Sequence, residues 1–154
     1  MQCAWKELLS ILPVWLRGEV DRLGKDTLQE LRLRKNQPAE LVLKEKTLFL
    51  DRVVAEEDLH SCIHTASRYS PWAAATMAKG YLTAPGGHRI GICGESVCKN
   101  GRMEGIRNPT SLCIRVSRDF PGISRGLNCD GSLLIIGAPG WGKTTLLRDW
   151  IRSR

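Results

Sequence analysis

Residues Gly137, Ala138, Pro139, Gly140, Trp141, Gly142, Lys143 and Thr144 fit the pattern G-x-x-x-x-G-K-[ST]. Those residue types at that spacing can bind a phosphate chain. Glycine admits positive φ and lets the main chain approach an anion, so successive N–H groups can point into one hollow. A lysine in the place of Lys143 reaches the β- and γ-phosphates. A hydroxyl in the place of Thr144 can ligate Mg²⁺. Thr145 continues into a helix whose N-terminal partial positive charge faces the same phosphates. The expected ligand is ATP with Mg²⁺.

Two elements must flank such a loop. Leu133, Leu134, Ile135 and Ile136 form a short apolar run, which predicts a strand buried on both faces. Leu146, Leu147, Trp150 and Ile151 recur at helical spacing and predict one apolar helix face. A glycine-proline turn between a strand and a helix is the plain alternative. The bare pattern arises by chance in roughly one chain of this size in a few hundred, and the ordered flanks make chance rarer.

Composition is that of a globular protein, with 42% hydrophobic and 25% charged residues in 154. No apolar run approaches the roughly 20 residues of a membrane span. Lys6, Glu7 and Pro13 interrupt any signal-peptide core, which predicts a cytoplasmic location. The six cysteines form no C-x-x-C. His60 and His64 could share a helix face, but with Cys62 between them they read as a surface-to-core transition, and no zinc pattern is completed. Buried thiols in a reducing compartment are expected. The net charge of +7 comes mostly from dispersed arginines, without a basic block or aromatic-basic alternation.

Along the chain, residues 5–15 read as an amphipathic helix bent or ended by Pro13, and residues 19–29 as a second helix. Residues 31–34, 40–43 and 47–50 read as strands. Acidic Glu56, Glu57 and Asp58 open a helix reaching Tyr69. Pro71 opens another through Ala78, closed by Gly80. Residues 81–83 and 88–92 form a hairpin around Pro85-Gly86-Gly87. A second hairpin turns on Asn100-Gly101. Residues 112–116 alternate as a strand. The fold class is therefore an α+β N-terminal domain, residues 1–118, followed by a linker, residues 119–131. Residues 132–154 open a β-P-loop-α unit of an α/β, RecA-like P-loop NTPase domain.

Several separate motifs resemble the stage III sporulation protein AA family. They are Leu31-Arg32-Leu33-Arg34 with Pro38 and Glu40-Leu41-Val42-Leu43, and Ser67-Arg68-Tyr69-Ser70. Further along come Pro85-Gly86-Gly87-His88-Arg89-Ile90-Gly91 and Gly105-Ile106-Arg107-Asn108 with Ser111, Leu112, Ile114 and Arg115. The last is Gly140 with Gly142-Lys143-Thr144-Thr145-Leu146-Leu147-Arg148-Asp149. The resemblance implies a cytoplasmic ATPase similar to secretion motors, a homo-hexamer when full length. It implies a place at the mother-cell side of a membrane complex, with the other stage III sporulation channel proteins as partners, and ATP and Mg²⁺ as ligands. It also implies phosphate-approaching arginines, for which Arg89, Arg107 and Arg115 occupy the matching motifs; Arg107 and Arg115, just before the linker, are the expected phosphate sensors. The chain stops about one helix after the loop, so a Walker B carboxylate and catalytic glutamate are not expected within it, nor turnover by this chain alone. Nucleic acid is not an expected partner. A nucleic-acid-binding module beside a helicase-like P-loop domain is the alternative reading, which steep salt dependence would mark. A structural adaptor docking channel partners is a third.

Overall fold

A computed structural model describes residues 1–68 and 73–154. Contacts divide it into two units, Ala4–Ser117 and Met1–Cys3 with Arg118–Arg154. The larger unit is an α+β layer built on a six-stranded antiparallel sheet.

The first helix, α1, spans Trp5–Ile11 and stops short of the sequence expectation. Pro13 lacks an N–H and forces Leu12 out of the helical region (φ −80°, ψ 152°). Pro13 then serves as the N-cap of α2, Val14–Leu23. The second helix thus starts and ends earlier than its pattern suggests. Gly24, at φ 77°, closes it by donating to Asp21 and Val20 carbonyls. Gln29, expected in this helix, lies instead in strand β1, Leu28–Arg34.

The strands β2 (Pro38–Leu43) and β3 (Thr47–Val53) follow as a meander. Next come α3 (Glu56–Ser67) and α4 (Ala73–Met77). The expected helix end at Tyr69 and start at Pro71 fall outside the described residues. The sheet is completed by β4 (Tyr81–Thr83), β5 (Arg89–Lys99) and β6 (Arg102–Arg115). Its order is β3-β2-β1-β6-β5-β4. Both expected hairpins form. At the second, Asn100 and Gly101 adopt φ 51° and 72°, the two positive angles that a tight hairpin turn requires.

The sheet has two different faces. Leu31, Leu33, Leu41, Leu82, Ile90, Leu112 and Ile114 are buried, as are Leu8, Ile11, Leu16 and Val20 of the first two helices and Leu59, Cys62 and Ala66 of α3. These side chains form one core, each large one contributing about 2 kcal/mol by leaving water. The alternate residues Glu30, Arg32, Arg34, Cys113 and Arg115 lie on the opposite face. Asp58 joins α2 to α3, accepting from Trp15 Nε1 at 3.0 Å and from the Ala55 N–H at 2.9 Å. His88 is fully buried. Its Nδ1 accepts from Ser117 N–H at 3.0 Å, so the ring is the Nε2–H tautomer, which donates to Ala4 O at 2.9 Å.

In the smaller unit, residues 121–126 form turns and α5 spans Lys143–Arg152. The strand expected at residues 133–136 does not form: they belong to no ladder, and Leu134 and Ile136 are 81% and 84% exposed. No parallel neighbour lies beside them among the described residues, and without one a buried strand has neither ladder bonds nor cover. The apolar face of α5 is likewise partly exposed at Leu147 and Ile151. No helix among the described residues is long and apolar enough to cross a membrane.

Candidate functional site

The glycine loop runs directly into α5. Gly140 and Gly142 adopt φ 82° and 78°, angles costly for any other residue. Gly142 is the left-handed N-cap, and its carbonyl accepts the first helical bond from Leu146 at 2.8 Å. The loop narrows through Trp141 N–H donating to Ala138 O at 3.3 Å. Lys143 Nζ folds back and donates to the same carbonyl at 2.7 Å. At Gly137 a Cβ would meet the Trp141 ring at 3.3 Å and the Lys143 stem at 3.7 Å. Glycine there lets both side chains close over the loop.

These residues fit a phosphate chain and its metal. The first turn of α5 carries no acidic residue and no side-chain cap, so its N–H dipoles favour an anion. Thr144 and Trp141 are exposed, Thr145 and Lys143 partly so. The lysine already lies over the loop main chain, and a phosphate would exchange one oxygen acceptor for a charged one. Pro139, like Ala138, belongs to the exposed crest.

Asp149, which the sequence marks only as part of a motif, is a buried anchor of α5. It is 5% exposed, although it lies on a helix with an amphipathic pattern. Its Oδ1 accepts from Gly122 N–H at 2.8 Å, and its Oδ2 from Ser124 N–H at 2.8 Å and Ser124 Oγ–H at 2.7 Å. Hydrogen bonds from the Ser124 backbone and hydroxyl, then Gly122, hold its carboxyl below the ordinary aspartate range. Arg152, one turn on, binds Asp119 at 2.7 Å. A polar residue inside an apolar pattern was the available signal.

The arginines expected to sense phosphate lie apart. Arg107 and Arg115 are eight residues apart on β6, roughly 25 Å along a strand. Arg115 Nε donates to Glu30 on the polar face of the sheet at 3.1 Å. Arg107 lines a cavity of about 310 Å³ with His60 and Ile63 of α3 and Met77 of α4. Between the two arginines Asn108 takes φ 44° and the β5–β6 register shifts between Cys93 and Glu95. Glu95, opposite Arg107 in the ladder, accepts instead from Asn108 Nδ2 at 2.9 Å. Arg89 is exposed and pairs with Arg115 in register.

Among the described residues, no cluster of three His, Cys, Asp or Glu side chains is placed to hold a metal. The six cysteines are unbridged. Burial pushes the Cys62 thiol up to about 12, which leaves it inert as a nucleophile. His60 and His64 lie exposed on α3, either side of buried Cys62.

Legionella pneumophila ATPase DotB, solved by X-ray crystallography, superposes with a TM-score of 0.51 at 19% identity, covering 92% of this chain and 42% of that one; at that identity the likeness concerns fold. Stage III sporulation protein AA of Bacillus subtilis (strain 168) is 34% identical over 156 aligned residues, 95% of this chain. The chain spans about half of that relative's length, 51%. The family profile described as Sporulation stage III, protein AA matches residues 5–154. The chain belongs to the stage III sporulation protein AA family.

Proposed function

We propose that the chain is the N-terminal part of an ATPase that binds ATP with Mg²⁺ at residues 137–145 and uses its hydrolysis to energise a secretion-like channel between mother cell and forespore. One observation carries the reading: two left-handed glycines deliver the chain into the N-terminus of α5 with Lys143 folded over the loop. Backbone N–H groups and Lys143 would hold the phosphates, and Thr144 the metal. Family membership and the fold shared with an ATPase support it. The working form is a homo-hexamer at the cytoplasmic, mother-cell side of a membrane complex, with other stage III sporulation proteins as partners. Arg107 and Arg115 sense the phosphates, from the same subunit or its neighbour, and Arg107 is the better suited because the Arg115 fork is already engaged by Glu30.

The test is binding of a fluorescent ATP analogue with Mg²⁺, and phosphate release, in the intact protein. Lys143→Ala is expected to abolish release and weaken binding by about 100-fold or more, the loss of a charge-assisted phosphate contact. Equal binding by wild type and Lys143→Ala would end the reading. Arg107→Lys and Arg115→Lys are expected to lower turnover by about one to three decades with folding unchanged. Wild-type turnover in both variants would make them surface charges.

A further inference from the structure

The buried carboxylate of Asp149 lies on the helix that carries Lys143 and Thr144, six residues on, about 9 Å along the axis. Both its oxygens are used, by Gly122 and Ser124. On the same helix Arg152 holds Asp119. The Asp119 backbone in turn bridges Gln2, with N–H to carbonyl distances of 2.7 and 2.8 Å. Three points of residues 119–124 are therefore tied to α5, and this stretch begins two residues after Ser117, where the larger unit ends. Charge-assisted bonds at a buried site are short and stiff. A helix is rigid over two turns, so a displacement at its N-terminus reaches Asp149 undiminished.

We propose that Asp149 is a positioning residue that makes residues 119–124 follow the phosphate-loop helix, so that phosphate bound at the loop orders the linker. The proposal rests on the nucleotide reading above. An ordinary tertiary hydrogen bond would tie the same groups together equally with and without ligand. Coupling instead makes the order of the linker depend on ligand.

Amide exchange by mass spectrometry on the intact protein, with and without ATP and Mg²⁺, separates these. In wild type the nucleotide is expected to slow exchange by about tenfold or more both in the loop with α5 and in residues 119–127, as a shift in local opening. Asp149→Asn keeps the shape of the side chain but loses its charge. It should retain slowing at the loop and lose it at the linker. Ser124→Ala removes one hydroxyl, is the milder check should Asp149→Asn fold poorly, and should reduce the linker response part-way. Slowing that stops at α5 in wild type, or a linker response in Asp149→Asn equal to that of wild type, would overturn the coupling alone. No slowing anywhere in wild type would remove the nucleotide reading and the coupling with it.

Discussion

Two carboxylates organise the polar face of the sheet. Glu40 accepts from Arg32 Nη1 at 2.8 Å and Arg34 Nη1 at 2.6 Å, and Glu30 from Arg32 Nε at 2.6 Å and Arg115 Nε at 3.1 Å. The hydrogen bond from Arg34 leads the effects that hold the Glu40 carboxyl below its ordinary 4.5. Burial pushes Glu30 up, but the bonds from Arg32 and Arg115 outweigh it and the net direction is down. A depressed carboxyl stabilises the fold above the unfolded value and loses that contribution as pH falls through the folded one. Because the arginines are 41% exposed, solvent screens the pairs, and Glu40→Gln should cost about 1 kcal/mol at pH 7. Urea unfolding at pH 7 and pH 3 checks this. The gap between wild type and variant should shrink at pH 3, and an unchanged gap would refute the assignment. These pairings were not legible in sequence. The Leu31-Arg32-Leu33-Arg34 alternation marked a strand with a polar face, yet one partner of Glu30, Arg115, lies 85 residues away.

Among the elements, β5 and β6 show two kinds of glycine. Gly101 sits at φ 72° with nothing within 4 Å of where a Cβ would be. Gly101→Ala should therefore cost only the left-handed penalty, about 1 kcal/mol. At Gly94 a Cβ would lie 2.7 Å from Arg107 O and 2.7 Å from Ile106 Cγ2. Both are in the stretch where the β5–β6 register shifts, and the Arg107 oxygen is main chain that cannot swing aside. Gly94→Ala should cost about 2–3 kcal/mol, the typical range for overpacking. Thermal denaturation of the two variants decides the order, and a Gly94→Ala midpoint above that of Gly101→Ala would show the bulge to be pliable. The Asn100-Gly101 turn was readable because its angles are a property of two residues. The bulge was not, because it depends on how two strands meet. Helix ends divide the same way: Pro13 was seen as a break, but which residues it caps emerged only with Leu12 extended.

Across the whole molecule the two units differ in support. Leu112 to Arg115 is bonded on one side to β1 and on the other to β5. Residues 133–136 belong to no ladder, and Leu134 and Ile136 face water. In the 154-residue chain, amide exchange at 133–136 should therefore run orders of magnitude faster than at 112–115, near the rate of an open segment. Equal protection would contradict the placement.

The amino-acid sequence by itself determined the features set by local sterics. These are the glycine loop before a helix, the proline break, the Asn-Gly turn, the alternation that divides the sheet faces, and a motif set specific enough to name the family. Each depends on which φ/ψ a few adjacent residues tolerate. Tertiary structure alone decided which groups meet. It set Arg107 beside a cavity under α3 and Arg115 against Glu30, left residues 133–136 without a ladder partner, set His88 between Ala4 and Ser117, and buried Asp149 against Gly122 and Ser124. The physical reason is that a buried polar group is satisfied by whatever donor the fold brings within about 3 Å, and linear spacing does not encode that neighbour.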